Sequence, residues 1–149
     1  KYVNEPDAQY VITELNRRRS FEYNGIKNHE YYFADLCGEY IPLDSDSELG
    51  KKIIETWGSF DGWRAEFEKI AMTRGIGWAI LSYDFESGIL QNGWVDEQHL
   101  GQLNSTRYII GIDIWEHSYV ADYQPSGKKQ YIADFLDQVS WGNAMTRFK

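Results

Sequence analysis

Tyr108-Ile109-Ile110-Gly111-Ile112 is an apolar run rich in β-branched residues. Such a run reads as a buried strand, and a buried strand demands layers that cover it. It leads directly into Asp113-Ile114-Trp115-Glu116-His117. Asp113 is therefore expected at a strand end, where a rigid element hands over to a loop that carries function. The segment sets a carboxylate and an imidazole four residues apart with an aromatic between them. Asp oxygen and His nitrogen both suit manganese, iron or zinc. The spacing taken alone also fits a His satisfied by a local hydrogen bond beside a structural Asp.

The remaining chain supplies the covering layers. Asp7 to Leu36 reads as one long helix or two abutting ones, with Asp7 as its N-cap. Val11, Leu15 and Arg18 form a narrow stripe that ends polar. Phe21, Gly25, Asn28, His29 and Tyr32 then share one side. Gly25 costs a helix about 1 kcal/mol relative to Ala, which makes sense if something approaches the backbone one turn before His29. Gly38 to Asp46 reads as a loop, Ser47 to Trp57 as a short helix, and Ser59 as the N-cap of a helix through Met72. Phe60, Trp63, Phe67 and Ile70 give that helix a core face. Ile76 to Phe85 and Ile89 to Val95 read as antiparallel strands around a Glu86-Ser87-Gly88 turn. Gly101 to Ser105 is a loop before the Ile109–Ile112 strand. Helices are expected at Glu116 to Tyr123, Lys129 to Val139 and Gly142 to Phe148, with Pro125-Ser126-Gly127 separating the first two. Helices, three short strands and then helices make an α+β layout with a small antiparallel sheet.

A length of 149 residues suits one domain or one and a fraction. The formal charge of 15 − 23 = −8 argues against nucleic acid as a partner, because phosphates call for a basic face. Arg17-Arg18-Arg19 wraps around a helix and reads as solvated surface. Cys37 is the only cysteine, so no intrachain disulfide can form, which fits a reducing compartment or indifference to redox state. No apolar run reaches membrane-spanning length and no signal peptide is visible. A cytoplasmic setting is expected, or a mitochondrial matrix if the source is eukaryotic.

Several motifs then agree in order. The D-x-W-E-H stretch at 113–117 continues Ser118-Tyr119-Val120-Ala121-Asp122-Tyr123. Asn28-His29-Glu30-Tyr31-Tyr32-Phe33 precedes it, as do Gly58-Ser59-Phe60-Asp61-Gly62-Trp63 and Gly75-Ile76-Gly77-Trp78-Ala79-Ile80-Leu81. Tyr131 to Trp141 and Arg147-Phe148 follow it. Over nearly its whole length the chain resembles the iron/manganese superoxide dismutases. The resemblance implies an N-terminal remainder of a helical hairpin domain at 1–38 and a C-terminal metal-binding domain at 39–149.

It also implies a site. His29, Asp113 and His117 match three of the family's metal ligands, for manganese (preferred) or iron. The family's first His ligand comes from an N-terminal helix and has no match in these residues. The opening Lys1-Tyr2, without Met, leads us to expect an upstream helix that carries it. Counting from Trp78, the residue that hydrogen-bonds the metal's solvent in the manganese branch falls on Gln98, with His99 left as a surface residue. The iron branch places a Gln where this chain has Gly25, so Gly25 with Gln98 resembles the manganese pattern. Trp78 and Trp115 resemble the aromatic walls of the site. Tyr2-Val3-Asn4 resembles the Y-V-N whose Tyr gates the substrate funnel. Glu116 resembles the Glu that reaches the partner's ligand His across a two-fold interface, implying a homodimer or homotetramer. Val120 stands where the family often has an interface Tyr.

These matches imply dismutation of superoxide to oxygen and hydrogen peroxide. The alternative is a scaffold subunit that kept the fold without the chemistry; the absent first His and Val120 favour it, while three intact ligands and Gln98 favour the enzyme. A hydrolytic zinc site would need a general base beside the metal, which Gln98 cannot be.

Overall fold

In the computed structural model, which describes residue 6, residues 8–36 and residues 38–149, the centre of the fold is strand β1 (Gly77–Asp84). It pairs antiparallel with β2 (Ile89–Asp96) on one side and β3 (Thr106–Asp113) on the other, giving the order β2-β1-β3. The β1–β2 register runs from Gly77 opposite Asp96 to Asp84 opposite Ile89. On the other edge Trp78 lies opposite Asp113 and Leu81 opposite Ile110, with a register shift between Leu81 and Ser82. Residues 77–82 of β1 and 108–113 of β3 are buried without interruption. Successive side chains point to opposite faces, so continuous burial means that both faces are covered. This is why the sequence there runs apolar rather than alternating.

Among the described residues there are six helices, and four of them pack on the sheet. The six are α1 (Ala8–Leu36), α2 (Glu48–Trp57), α3 (Phe60–Ala71), α4 (Val120–Tyr123), α5 (Lys128–Gln138) and α6 (Gly142–Arg147). Helix α1 packs on β3, α3 on β1 and β2, and α6 on β3. The Ser47 and Ser59 hydroxyls cap α2 and α3 by accepting the Gly50 and Gly62 N–H, each at 3.0 Å. Gly58, at φ 79°, ends α2 in the left-handed conformation that glycine adopts without strain. The core stripe of α3 is Trp63, Phe67 and Ala71. No described helix is long and apolar enough to cross a membrane.

The expected α+β layout is what forms, with local differences. Residues 8–36 make one continuous helix rather than two. Its Arg17, Arg18 and Arg19 are exposed, as a solvated surface requires. Asp7, expected as its N-cap, and Cys37 lie outside the described residues. Strand β3 begins at Thr106 because Thr106, Arg107 and Tyr108 continue the pairing with Asp84, Tyr83 and Ser82. The expected helix over 116–123 is broken into a 3₁₀ turn at Glu116–Ser118 and the four-residue α4. Tyr119, at φ −139°, leaves the helical region between them. The Ser118 hydroxyl is turned back on the Trp115 and Asp113 carbonyls, at 2.6 and 2.9 Å, and holds the tighter turn.

A buried ion pair ties α1 to α6. The Arg147 guanidinium donates to both oxygens of Asp35, at 2.7 and 2.5 Å, and to the Ile109 carbonyl at 3.0 Å. Asp35 is fully buried. Removing one member of such a pair leaves an uncompensated charge, so Arg147→Met should destabilise the fold by about 3 kcal/mol or more. Urea unfolding checks this; a loss no larger than that of a surface substitution would contradict it.

Candidate metal centre

Asp113 is the last residue of β3 and is 1 % exposed. Its Oδ1 accepts the Trp115 N–H at 2.8 Å, a contact made possible by the chain turning sharply after the strand. Its Oδ2 meets two imidazoles. Nε2 of His117, from the 3₁₀ turn, is 3.0 Å away, and Nε2 of His29, from α1, is 3.3 Å away. One potential ligand atom from each residue lies within 4.8 Å of the others. Ring centroids of His29 and His117 are 5.7 Å apart in a stacked arrangement.

The His29 ring is oriented by its own helix. Nδ1 lies 2.7 Å from the Gly25 carbonyl. A carbonyl only accepts, so Nδ1 carries the proton and the neutral ring offers its Nε2 lone pair. Burial pushes the Asp113 carboxyl above the usual carboxylate range, against the opposing pull of the Trp115 N–H and the two imidazoles. A cation among these three groups would offset that desolvation. Two imidazole nitrogens and one carboxylate oxygen converging on one point form a donor set that fits manganese, iron or zinc.

Gln98 closes another side. It is 6 % exposed and belongs to the turn after β2, where Glu97 takes φ 52°. Its Oε1 accepts the Trp78 indole N–H at 2.8 Å, and its backbone carbonyl accepts from Asn28 Nδ2 at 3.3 Å. Among the described residues no acceptor takes its Nε2 protons. A Cβ on Gly25 would stand 3.3 Å from Gln98 Cδ. The missing side chain of Gly25 thus makes the room that Gln98 occupies, which accounts for a glycine inside α1. Trp78 is fully buried and meets His29 edge-on at 5.0 Å. Trp115 stacks beside His117 at 5.9 Å and donates its indole N–H to the Glu97 carbonyl at 3.0 Å.

His99 is not the surface residue expected. It is half-buried, edge-on to Phe21 at 5.8 Å, with a buried Nδ1 that has no partner among the described residues. Tyr2 lies outside the described residues. Glu116 is exposed and forms no ion pair among the described residues, and Val120 is half-buried against the core. Sequence reasoning missed Asn28 as the anchor of the Gln98 turn. It also missed Tyr131 and Ser118 as donors to the Asp113 carbonyl, at 2.8 and 2.9 Å. Only the adjacency of Asn28 to His29 could have flagged one of them.

Residues 45–147 match the family model described as iron/manganese superoxide dismutases, C-terminal domain. The chain belongs to that family. Superoxide dismutase (Mn) 1 of Haloferax mediterranei is 45 % identical over 138 residues, covering 84 % of this chain and 94 % of that sequence. Superoxide dismutase (Mn) 2 of Haloferax volcanii is 36 % identical over 133 residues, covering 88 % of this chain and 65 % of the relative. Superoxide dismutase (Fe) of Cupriavidus metallidurans is 32 % identical over 141 residues, covering 93 % and 69 %. The chain thus spans less than two-thirds of the length of its Haloferax volcanii relative.

The fit of Gly25 against Gln98 is testable. Gly25→Ala should forfeit most of the about 1 kcal/mol that the exchange normally gains in a helix, because Gln98 is held from two sides. A crystal structure should show the Gln98 amide displaced by a few tenths of an ångström and a longer contact to Trp78. An unmoved amide with full helical stabilisation would contradict this.

Proposed function

We propose that the protein dismutates superoxide to oxygen and hydrogen peroxide at a mononuclear manganese or iron site held by His29, Asp113 and His117. The observation that carries this reading is the convergence of both Nε2 atoms on Asp113 Oδ2 beside a buried amide, in a member of this family. A bound manganese or iron would supply the one-electron couple. The residues of the chain would set the conditions around it. Asp113 contributes the anionic charge that favours the higher oxidation state, and the neutral imidazoles favour the lower. Gln98, with Oε1 committed to Trp78, keeps its Nε2 protons for solvent or substrate at the site. Trp78 and Trp115 limit the water that reaches it. Tyr2 is assigned to the substrate gate by the resemblance alone.

The pairing of Gly25 with Gln98 supports manganese as the native metal. The exposed Glu116 and the exposed His117 support a two-fold dimer in which Glu116 reaches His117 of the partner. Residues 1–38 would then end a helical hairpin domain that packs on the metal-binding domain at 39–149.

Elemental analysis and a superoxide consumption assay on the full-length protein test the activity. Asp113→Asn should lower metal content by about tenfold or more and abolish dismutation; full metal occupancy in that variant would overturn the ligand assignment. Glu116→Ala should shift sedimentation toward monomer and loosen the metal as well. A wild-type metallated monomer would overturn the dimer.

A further inference from the structure

Behind the candidate centre a chain of two phenols joins the helix that carries His29 to the strand that carries Asp113. The backbone carbonyl of Asp113 stands where β3 ends, and the next N–H, of Ile114, goes to the Gly77 carbonyl at 2.8 Å. Tyr131 of α5 donates its phenol proton to the Asp113 carbonyl at 2.8 Å. Ser118 Oγ lies 2.9 Å from the same carbonyl, but its single proton also faces the Trp115 carbonyl at 2.6 Å. Tyr131 is therefore the donor whose proton is committed there.

That commitment fixes the next bond. The Tyr131 oxygen lies 3.0 Å from the Tyr32 oxygen. Since Tyr131 has spent its proton on a carbonyl, Tyr32 must donate to Tyr131. The direction is Tyr32 to Tyr131 to Asp113. Tyr32 sits three residues beyond His29 on α1, close to one turn along the same face. Both rings are locked by stacking. Tyr32 lies on Phe135 at 5.7 Å and 9°, and Tyr131 on Tyr119 at 5.5 Å and 22°. They are 8 % and 5 % exposed. Burial raises both phenols above their ordinary values, so neither ionises near neutrality.

We infer that Tyr32 and Tyr131 are positioning residues that hold the Asp113 backbone, and with it the carboxylate, in register with His29. This rests on the reading of His29, Asp113 and His117 as metal ligands. Fixing the carbonyl fixes the peptide plane after Asp113, whose other end, the Ile114 N–H, is held by the Gly77 carbonyl. Three elements that share no covalent neighbourhood, α1, α5 and β3, are thereby set against one another around one carboxylate. Outer partners of this kind govern ligand geometry without touching the ion.

The test uses Tyr32→Phe, Tyr131→Phe and the double variant in the full-length protein. Each keeps its ring and packing and loses one hydroxyl. Manganese affinity is read by competition with a chelator, the oxidised manganese form by its visible absorption, and the metal-free protein by thermal melting. Tyr131→Phe should weaken manganese binding about tenfold and shift the absorption band. Tyr32→Phe should weaken binding less, and should have no further effect once Tyr131 is Phe, because the two hydroxyls act as one chain. Unchanged affinity and absorption with only a lower metal-free melting temperature would overturn the inference, as would independent, multiplying effects in the double variant. A wild-type protein that holds neither manganese nor iron would overturn the ligand reading itself, and the inference with it, before any variant is compared.

Discussion

The burial of the Asp113 carboxylate is the constraint on which the rest of the site depends. A carboxylate out of water is costly unless hydrogen bonds or opposite charge compensate it. Here one oxygen takes the Trp115 N–H and the other takes Nε2 of His117, while the Nε2 lone pair of His29 faces that same oxygen at 3.3 Å without a proton to give it. Two neighbouring segments are placed to make those contacts. The 3₁₀ turn after β3 brings His117 and the Trp115 N–H, and α1 brings His29. The same burial leaves the carboxyl reluctant to ionise on its own, so the arrangement gains most from a cation.

The sheet makes this burial achievable. Trp78 lies opposite Asp113 in the β1–β3 register, and its indole also anchors Gln98. One strand position therefore walls the site and holds its buried amide. Asn28, next to His29, fixes the same Gln98 turn through its backbone. The candidate centre is thus framed by side chains from α1, β1, the turn after β2 and the end of β3. The Asp35–Arg147 pair anchors α1 to α6 near its far end. This keeps the His29 segment from drifting away from the sheet.

Much of this could be read in the sequence, for identifiable reasons. The strands showed because burial on both faces demands continuous apolar residues, and α2 and α3 showed because Ser47 and Ser59 are strong capping residues ahead of apolar stripes. The motif around Asp113 and the separate Asn28-His29 motif together named the three residues that the structure brings together. What could not be read depended on contacts between distant segments. Nothing local tells that Tyr131 reaches the Asp113 carbonyl or that Tyr32 reaches Tyr131. His99 looked like a surface residue because the ring that packs on it, Phe21, lies on a different element. The 116–123 helix failed because the Ser118 hydroxyl finds carbonyls behind it, a choice that propensity does not anticipate. Gly25 was flagged as a close approach from its cost to a helix, but only the fold shows that the approaching group is Gln98.

Two of the three converging residues, Asp113 and His117, are neighbours in sequence, whereas His29 arrives on a helix from the other end of the chain. An ion bound by all three would be a clasp between α1 and the sheet, comparable in topology to a cross-link. Its binding energy would be added to the docking of that one helix and to little else. A chelator would then act as a denaturant aimed at a single helix, and the exposed N-terminal turns of α1 would give proteases their first purchase on a metal-free chain.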